Sequence, residues 1–262
     1  ASGSPWSSRR VGHGTIQETV RKVLLTYWNT VAFHVLYARS SQWSPLDAAP
    51  AVADRPVLDR WLASATASLV EQITTAYETF DTQRIGSLIS AFVDDLSNWY
   101  VRRSRRRFWD GDPAALATLH ETLVALTKVM APITPFITER VWQDLVVPVV
   151  PQAPESVHLA DWPSPAVEVD TALMASVSVA RRLVELGRAA RAEAKVKTRQ
   201  PLARALVATA AFESLTDELR QEVSDELNVQ QIAPLSSAGA DLVSFSAKGN
   251  FRALGKRFAK QT

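Results

Sequence analysis

The sequence predicts a mainly α fold: an antiparallel helical bundle, then a long helix and a small α/β unit. Over the first two thirds, apolar residues recur every three or four positions in stretches separated by short breaks. Five prolines between Pro148 and Pro165 then end the helical period, and the later sequence alternates strand-like with helix-like runs. That proline-rich strap is the expected boundary between a bundle over residues 1–165 and a second unit over 166–262.

The first helix starts near Ile16 and sets Val20, Val23, Tyr27, Val31, His34 and Ala38 on one face. "WSPLDAAPAVADRPV" breaks it with three prolines. A second helix, about Val57 to Phe80, turns Trp61, Leu62, Leu69, Ile73, Ala76 and Phe80 inward, with Asp59 an early negative charge suited to its start. A third begins near Thr82 and carries Ile85, Ile89, Phe92, Leu96 and Trp99, with a helical pattern that continues to Phe108. Asp112 before Pro113 reads as N-cap and first-turn proline of a fourth helix ending near Met130. After "APITPF" a short fifth spans Phe136 to Val147. Beyond the strap, a long helix runs from Val169 to Lys195. "LARALVATA", "NVQQIAPL" and "DLVSFSA" read as strands, with one helix over "FESLTDELRQEVSDEL".

Composition narrows the function. A hydrophobic fraction of 47% and a charged fraction of 21% belong to a soluble globular protein. No apolar run approaches the roughly 20 residues of a membrane helix, so no membrane partner is expected. The chain has no cysteine, hence neither disulfides nor thiolate metal ligands, which fits a cytoplasmic protein. It starts at "ASGSPWSSRR" without an initiating Met or an apolar leader, as a piece of a longer protein would. His13, His34, His120 and His158 are scattered without metal-ligand spacing, and a lone helical histidine is more often packed than ligating. Asp94 and Asp95 diverge by about 100° on a helix and make no catalytic pair; a salt bridge to a nearby arginine is the better reading. Phosphate-loop, dinucleotide and nucleophile-elbow motifs are all missing. The residue content therefore predicts no catalytic residue, no metal and no cofactor.

Charge is where the sequence speaks. The formal net charge is only +2, yet "NWYVRRSRRRFW" holds Arg102, Arg103, Arg105, Arg106 and Arg107 between Trp99, Tyr100, Phe108 and Trp109. Cations offset a helix macrodipole by about 0.3–1 kcal/mol each within the last turn, so one or two would serve a solvated helix end. Extending the apolar face of the third helix lands on Arg103 and Arg106, which predicts a helix running past the core into solvent. Arginine suits bidentate contact with phosphates and stacking on bases. A second cluster, Arg188, Arg191, Lys195 and Arg199, repeats every three or four residues with Lys197 beside it, so a continued helix would carry a basic rail. Both clusters point to nucleic acid, against the alternative of solvated helix faces.

The chain also resembles a known family. "LTKVMAPITPFITERVWQDL" resembles the A-P-x-x-P-F element of the anticodon-binding bundle shared by the isoleucyl-, valyl- and leucyl-tRNA synthetases. "DLSNWYVRRSRRRFW", "SPWSSRR" and "SVHLADWP" are closer to the isoleucyl members, and "KTRQPL" through "GNFRALGKRF" is similar to the junction region of their longer, eukaryote-like form. The family's H-I-G-H and K-M-S-K-S elements are not in this sequence. The resemblance therefore implies a class I anticodon-binding bundle with a junction unit truncated at its C-terminus. Catalytic and editing domains would lie upstream, and ATP and Mg would serve that absent part. It implies the anticodon stem-loop of isoleucine tRNA as partner, with the upstream catalytic domain of the same chain. Arg102, Arg103, Arg105, Arg106, Arg107, Arg188, Arg191, Lys195, Lys197 and Arg199 would contact tRNA. Arg9, Arg10, Arg21, Phe108 and Trp109 are further candidates, while Trp99 and Tyr100 are expected to pack the bundle. The competing readings are the same region of a valyl or leucyl enzyme, and a helical protein–protein adaptor with a basic patch.

Overall fold

The structure is a computed structural model that describes residues 12–237. Its first element is one continuous helix made of α1 (His13–Thr19), a π-turn (Val20–Leu24) and α2 (Leu25–Ser40). Residues 12–22 are all exposed, and burial begins in earnest at Tyr27, followed by Val31 and His34. Val20, expected on the packed face, is 37% exposed because this part of the helix runs ahead of the core.

α3 (Val57–Glu78) packs on α4 (Thr82–Asp94) and on α6 (Pro113–Met130), and α7 (Pro135–Leu145) closes the bundle against α6 and α2. α6 is the central helix, touched by α2, α3, α5 (Arg102–Trp109) and α7. Every residue from Ala114 to His120 is buried, which its alanines permit by letting neighbours approach closely. Its start is as expected: the Asp112 carboxylate accepts from the amides of Ala114 (2.9 Å) and Ala115 (3.3 Å), with Pro113 in the first turn. Phe80, expected inside, is instead 84% exposed. α3 stops at Glu78, and Phe80 adopts a left-handed backbone (φ 54°) while the Asp81 amide returns to the Ala76 carbonyl (2.8 Å). The left-handed turn swings its ring out.

α4 and α5 are halves of one helix joined by a π-turn over Asp95–Val101. A π-turn holds one more residue than an α-turn, so the inward face shifts by one position beyond it. Leu96, Trp99, Tyr100, Val101, Ser104 and Phe108 are the buried residues here, and Arg103 and Arg106 are not on the continued face that a regular helix would give.

The described residues divide into two compact units, one ending at Ala175 and the other beginning at Ser176, within α8 (Thr171–Glu193). The second unit holds β1 (Leu202–Val207) and β2 (Val229–Pro234), paired in parallel from Leu202↔Val229 to Val207↔Pro234. A parallel pair needs a crossover, and two helices supply it in place of the single one expected. They are α9 (Thr209–Glu213) and α10 (Asp217–Leu227), the latter capped by the Thr216 hydroxyl, which accepts from the Leu219 amide (3.3 Å). α10 ends on Asn228 in a left-handed conformation. Gly187 of α8 has its Cα against Leu227, where an added Cβ would sit 2.5 Å from a Leu227 methyl; that approach is why glycine stands there. "DLVSFSA", Arg9 and Arg10 lie outside the described residues.

Candidate nucleic-acid interface

The arginine-rich segment is built on a buried ion-pair network. Asp59, on the first turn of α3, is completely buried. Arg107 donates to both its oxygens, Nη1 to Oδ1 at 2.6 Å and Nη2 to Oδ2 at 2.7 Å. The Arg107 Nε donates to Asp112 Oδ2 (2.8 Å), the residue that caps α6. The buried Tyr100 hydroxyl donates to Asp59 Oδ1 at 2.8 Å. One guanidinium thus ties α3, α5 and the start of α6 together.

The protonation states follow from that packing. Burial opposes the Arg107 charge, but its bonds to Asp59 and Asp112 outweigh this and raise its pKa. Burial likewise works against the charge of the Asp112 carboxylate, yet the Arg107 guanidinium wins and lowers its pKa. Burial and the adjacent Asp59 charge push the Tyr100 phenol well up, so it remains a donor.

With Arg107 committed inside, the sequence's five arginines take different roles. Arg107 leaves the contact surface, because its guanidinium is spent on two carboxylates. Arg103 is half-buried, its guanidinium 4.5 Å above the Trp99 ring. Phe108 is fully buried, edge-on to Phe33 at 5.1 Å and packed by Tyr100, so it too leaves the candidate surface. Outward stand Arg102, Arg105, Arg106 and Trp109, which at positions i, i+3, i+4 and i+7 form one stripe on α5. The Arg106 side chain is 93% exposed, 3.8 Å from the Asp110 carboxylate, and Trp109 is 77% exposed. Arg102 Nε reaches back to the Asn98 carbonyl (3.0 Å), which props its guanidinium along the helix. The stripe sets three cations beside one exposed indole, a combination that can grip phosphates and stack on an unpaired base.

The second cluster is built differently. α8 ends at Glu193, so the expected basic rail stops short. Lys195 adopts the left-handed conformation (φ 55°) and the Val196 amide bonds back to the Arg191 carbonyl (2.8 Å), a Schellman-type end. Arg191, only 6% exposed, braces the chain beyond that turn. It donates to the carbonyls of Lys197 (3.1 Å), Gln200 (3.0 Å) and Asn228 (3.0 Å), closing the loop from α8 to β1 onto the end of α10. Arg191 therefore leaves the contact set as well. Arg188 is ion-paired to Glu226. Lys195, Lys197 and Arg199 remain exposed on a loop held by the buried guanidinium.

Arg21 is exposed at the π-turn of the first helix. With Lys22 it borders a cleft of about 800 Å³ whose opposite side is the small-residue face of α4, Gly86, Ser87 and Ser90. Sequence reasoning missed the structural role of two features here. Asp59 stands between Leu58 and Trp61 on a buried stripe, and an acid in such a stripe is itself the signal of an internal cation. The other is the histidine pair: His34 and His120 are not lone, since His34 Nε2 lies 3.3 Å from His120 Nδ1 and both are buried. Among the described residues no group of His, Cys, Asp or Glu could hold a metal ion, and no helix is long and apolar enough to cross a membrane.

Comparison with known proteins identifies the family. Residues 59–207 match the model of the anticodon-binding domain of tRNA ligases. Isoleucine–tRNA ligases are similar along the whole chain. That of Streptomyces avermitilis is 66% identical over 261 residues, covering 99% of this chain and 25% of the relative. That of Streptomyces coelicolor is 65% identical over all of the chain and 25% of its own length. That of Thermus thermophilus is 41% identical over 99% of the chain and 26% of its own length. The chain thus spans about a quarter of the length of these relatives. With residues 59–207 matched by that family model, the chain belongs to the anticodon-binding domains of tRNA ligases.

Proposed function

We propose that this chain holds the anticodon arm of isoleucine tRNA as the C-terminal part of an isoleucine–tRNA ligase. The observation that carries the reading is the stripe of Arg102, Arg105, Arg106 and Trp109, displayed on a helix whose opposite side is locked by the Asp59–Arg107–Asp112 network. Preorganised cations position a phosphate backbone at low entropic cost, and an exposed indole accepts a splayed loop base. Lys195, Lys197 and Arg199 supply phosphate contacts from the second unit, and Arg21 with Lys22 supplies them from the first helix. Arg188 contributes where its pair with Glu226 opens.

The ligase reaction belongs to the remainder of such an enzyme, including an upstream catalytic domain. The sequence has no phosphate loop, and the described residues hold no carboxylate cluster for a divalent ion.

The test is retention of transcribed isoleucine tRNA against total tRNA in a filter-binding assay. The chain should retain the isoleucine acceptor preferentially, and exchange of its anticodon should weaken binding about tenfold, or about 1.4 kcal/mol. Equal retention of every tRNA would reduce the chain to a general RNA binder. No retention, together with capture of an acidic protein, would favour the adaptor reading.

A further inference from the structure

A second candidate site lies within the first unit, under the proline-rich strap. A cavity of about 470 Å³ opens between α3, α6, α7 and the strap. Its size falls in the range of small-molecule pockets. Ala63 and Ala67 of α3 and Ala125 of α6 form the floor, Trp142 of α7 a wall, and Pro154 and Pro163 part of the roof. Facing alanines leave the space unfilled, and prolines offer no amide, so the lining is mostly apolar. The hydroxyls of Thr66 and Thr122 bond to each other (3.2 Å).

Two features make this more than a packing gap. The roof is fastened along its length. Trp142 Nε1 donates to the Pro154 carbonyl (2.9 Å), Ser156 Oγ to Glu139 (2.8 Å) and Trp162 Nε1 to Thr74 Oγ1 (2.9 Å), while the Asp170 amide donates to Ser64 Oγ (2.8 Å). The cavity is therefore preformed, and a ligand would pay little to order it. The charges at its edge are also unequal. Glu121 is held by Arg55 through two bonds, of 2.8 and 3.0 Å. The half-buried Lys128 has its Nζ 5.8 Å above the Trp142 ring and no carboxylate partner among the described residues. The lining thus presents an apolar slot with one uncompensated positive charge.

We propose that the strap-covered cavity binds a flat, apolar monoanion, its rings between the alanine floor and the proline roof and its anionic group at Lys128. The occupant is a small aromatic carboxylate or sulfonate, a ligand class separate from the RNA read by the α5 stripe. A dianion would leave one charge unpaired in an apolar lining.

The experiment uses the whole chain and two dyes of similar shape, anilinonaphthalene sulfonate and uncharged N-phenyl-naphthylamine. Near-UV circular dichroism verifies that the protein is folded. The sulfonate dye should bind saturably at one site per chain and raise Tm, since ligands of the native state stabilise it. Lys128→Met should weaken the sulfonate about tenfold and the uncharged dye less than twofold, because only one carries charge. Ala125→Phe should fill the slot and abolish both. If that variant does not fold, the contrast between the dyes in Lys128→Met decides alone. Absence of saturable binding would overturn the proposal. So would unchanged affinity in Lys128→Met, which would place the dye on exposed apolar residues such as Phe80 and Phe136.

Discussion

The two basic regions have similar composition and opposite construction. In α5 the outward cations ride on a helix whose underside is locked to two neighbouring helices by Arg107. Between α8 and β1 they ride on a loop, and Arg191 holds that loop by its carbonyls from within. Each run of arginines sends one member inside, and the buried member determines where the others stand. Carboxylates anchor the first and backbone carbonyls the second. An arginine cluster is therefore not a uniform patch of charge.

The largest effect should come from cutting the first anchor. Arg107→Ala leaves Asp59 charged and buried, and should cost about 3–5 kcal/mol of stability, read as a lowered denaturation midpoint. Arg107→Lys should rescue little, since an ammonium cannot span both carboxylates as the planar fork does. A loss below about 1 kcal/mol would mean the network is not a support.

Acid separates the two units next. Burial lowers the pKa of His34 from 6.5 to about 3 and that of His120 from 6.5 to about 4, with the neighbouring His120 adding to the first shift. Both are neutral in the fold, while the unfolded chain takes up their protons. Their contribution is complete above about pH 6.5 and is lost as pH falls toward 4, with a slope approaching about 2.7 kcal/mol per pH unit for two protons. All four histidines precede Ala175, so acid should unfold the first unit and spare the second. Simultaneous loss of both units in circular dichroism and proteolysis would break that distinction.

Arg191→Ala strands three carbonyls and should cost the second unit about 2–3 kcal/mol, visible as faster amide exchange in residues 194–202. Smaller still are the outward residues. Arg105→Ala with Arg106→Ala should leave stability within about 0.5–1 kcal/mol and flatten the salt dependence of tRNA binding by about two units of slope. Trp109→Ala should weaken binding by about 1–3 kcal/mol without changing that slope, because stacking releases no counterions. A changed slope there would assign Trp109 a role other than base contact.

The helices and their caps were legible because they depend on local chemistry: Asp112–Pro113 announces a helix start by itself. The second unit's strands "LARALVATA" and "NVQQIAPL" were legible for the same reason. What escaped was non-local. Nothing near Arg107 in sequence reveals that Asp59, 48 positions away, will claim it. Arg191 looks like any member of a three-and-four repeat until the loop folds back over it. Phe80 was misplaced because its spacing fits α3, while the left-handed turn that expels it is set by the start of the next helix. The histidine pair was invisible because its members are 86 positions apart.

The π-turn at Asp95–Val101 has the character of a phase shift in a code. Read with a constant step, the letters after it name the wrong face: Arg103 and Arg106 would point in, where Ser104 and Phe108 are found instead. One added residue advances the reading frame of the helix by about 100°. Deleting a single residue from that turn would let the helix close to a regular step with Ser104, Arg107 and Phe108 still facing inward. Straightening the turn without a deletion would instead rotate Ser104 and Phe108 off the core by about 100°. Chemical identity along this helix thus has meaning only relative to a count, and the count is held by one wide turn placed before the arginines begin.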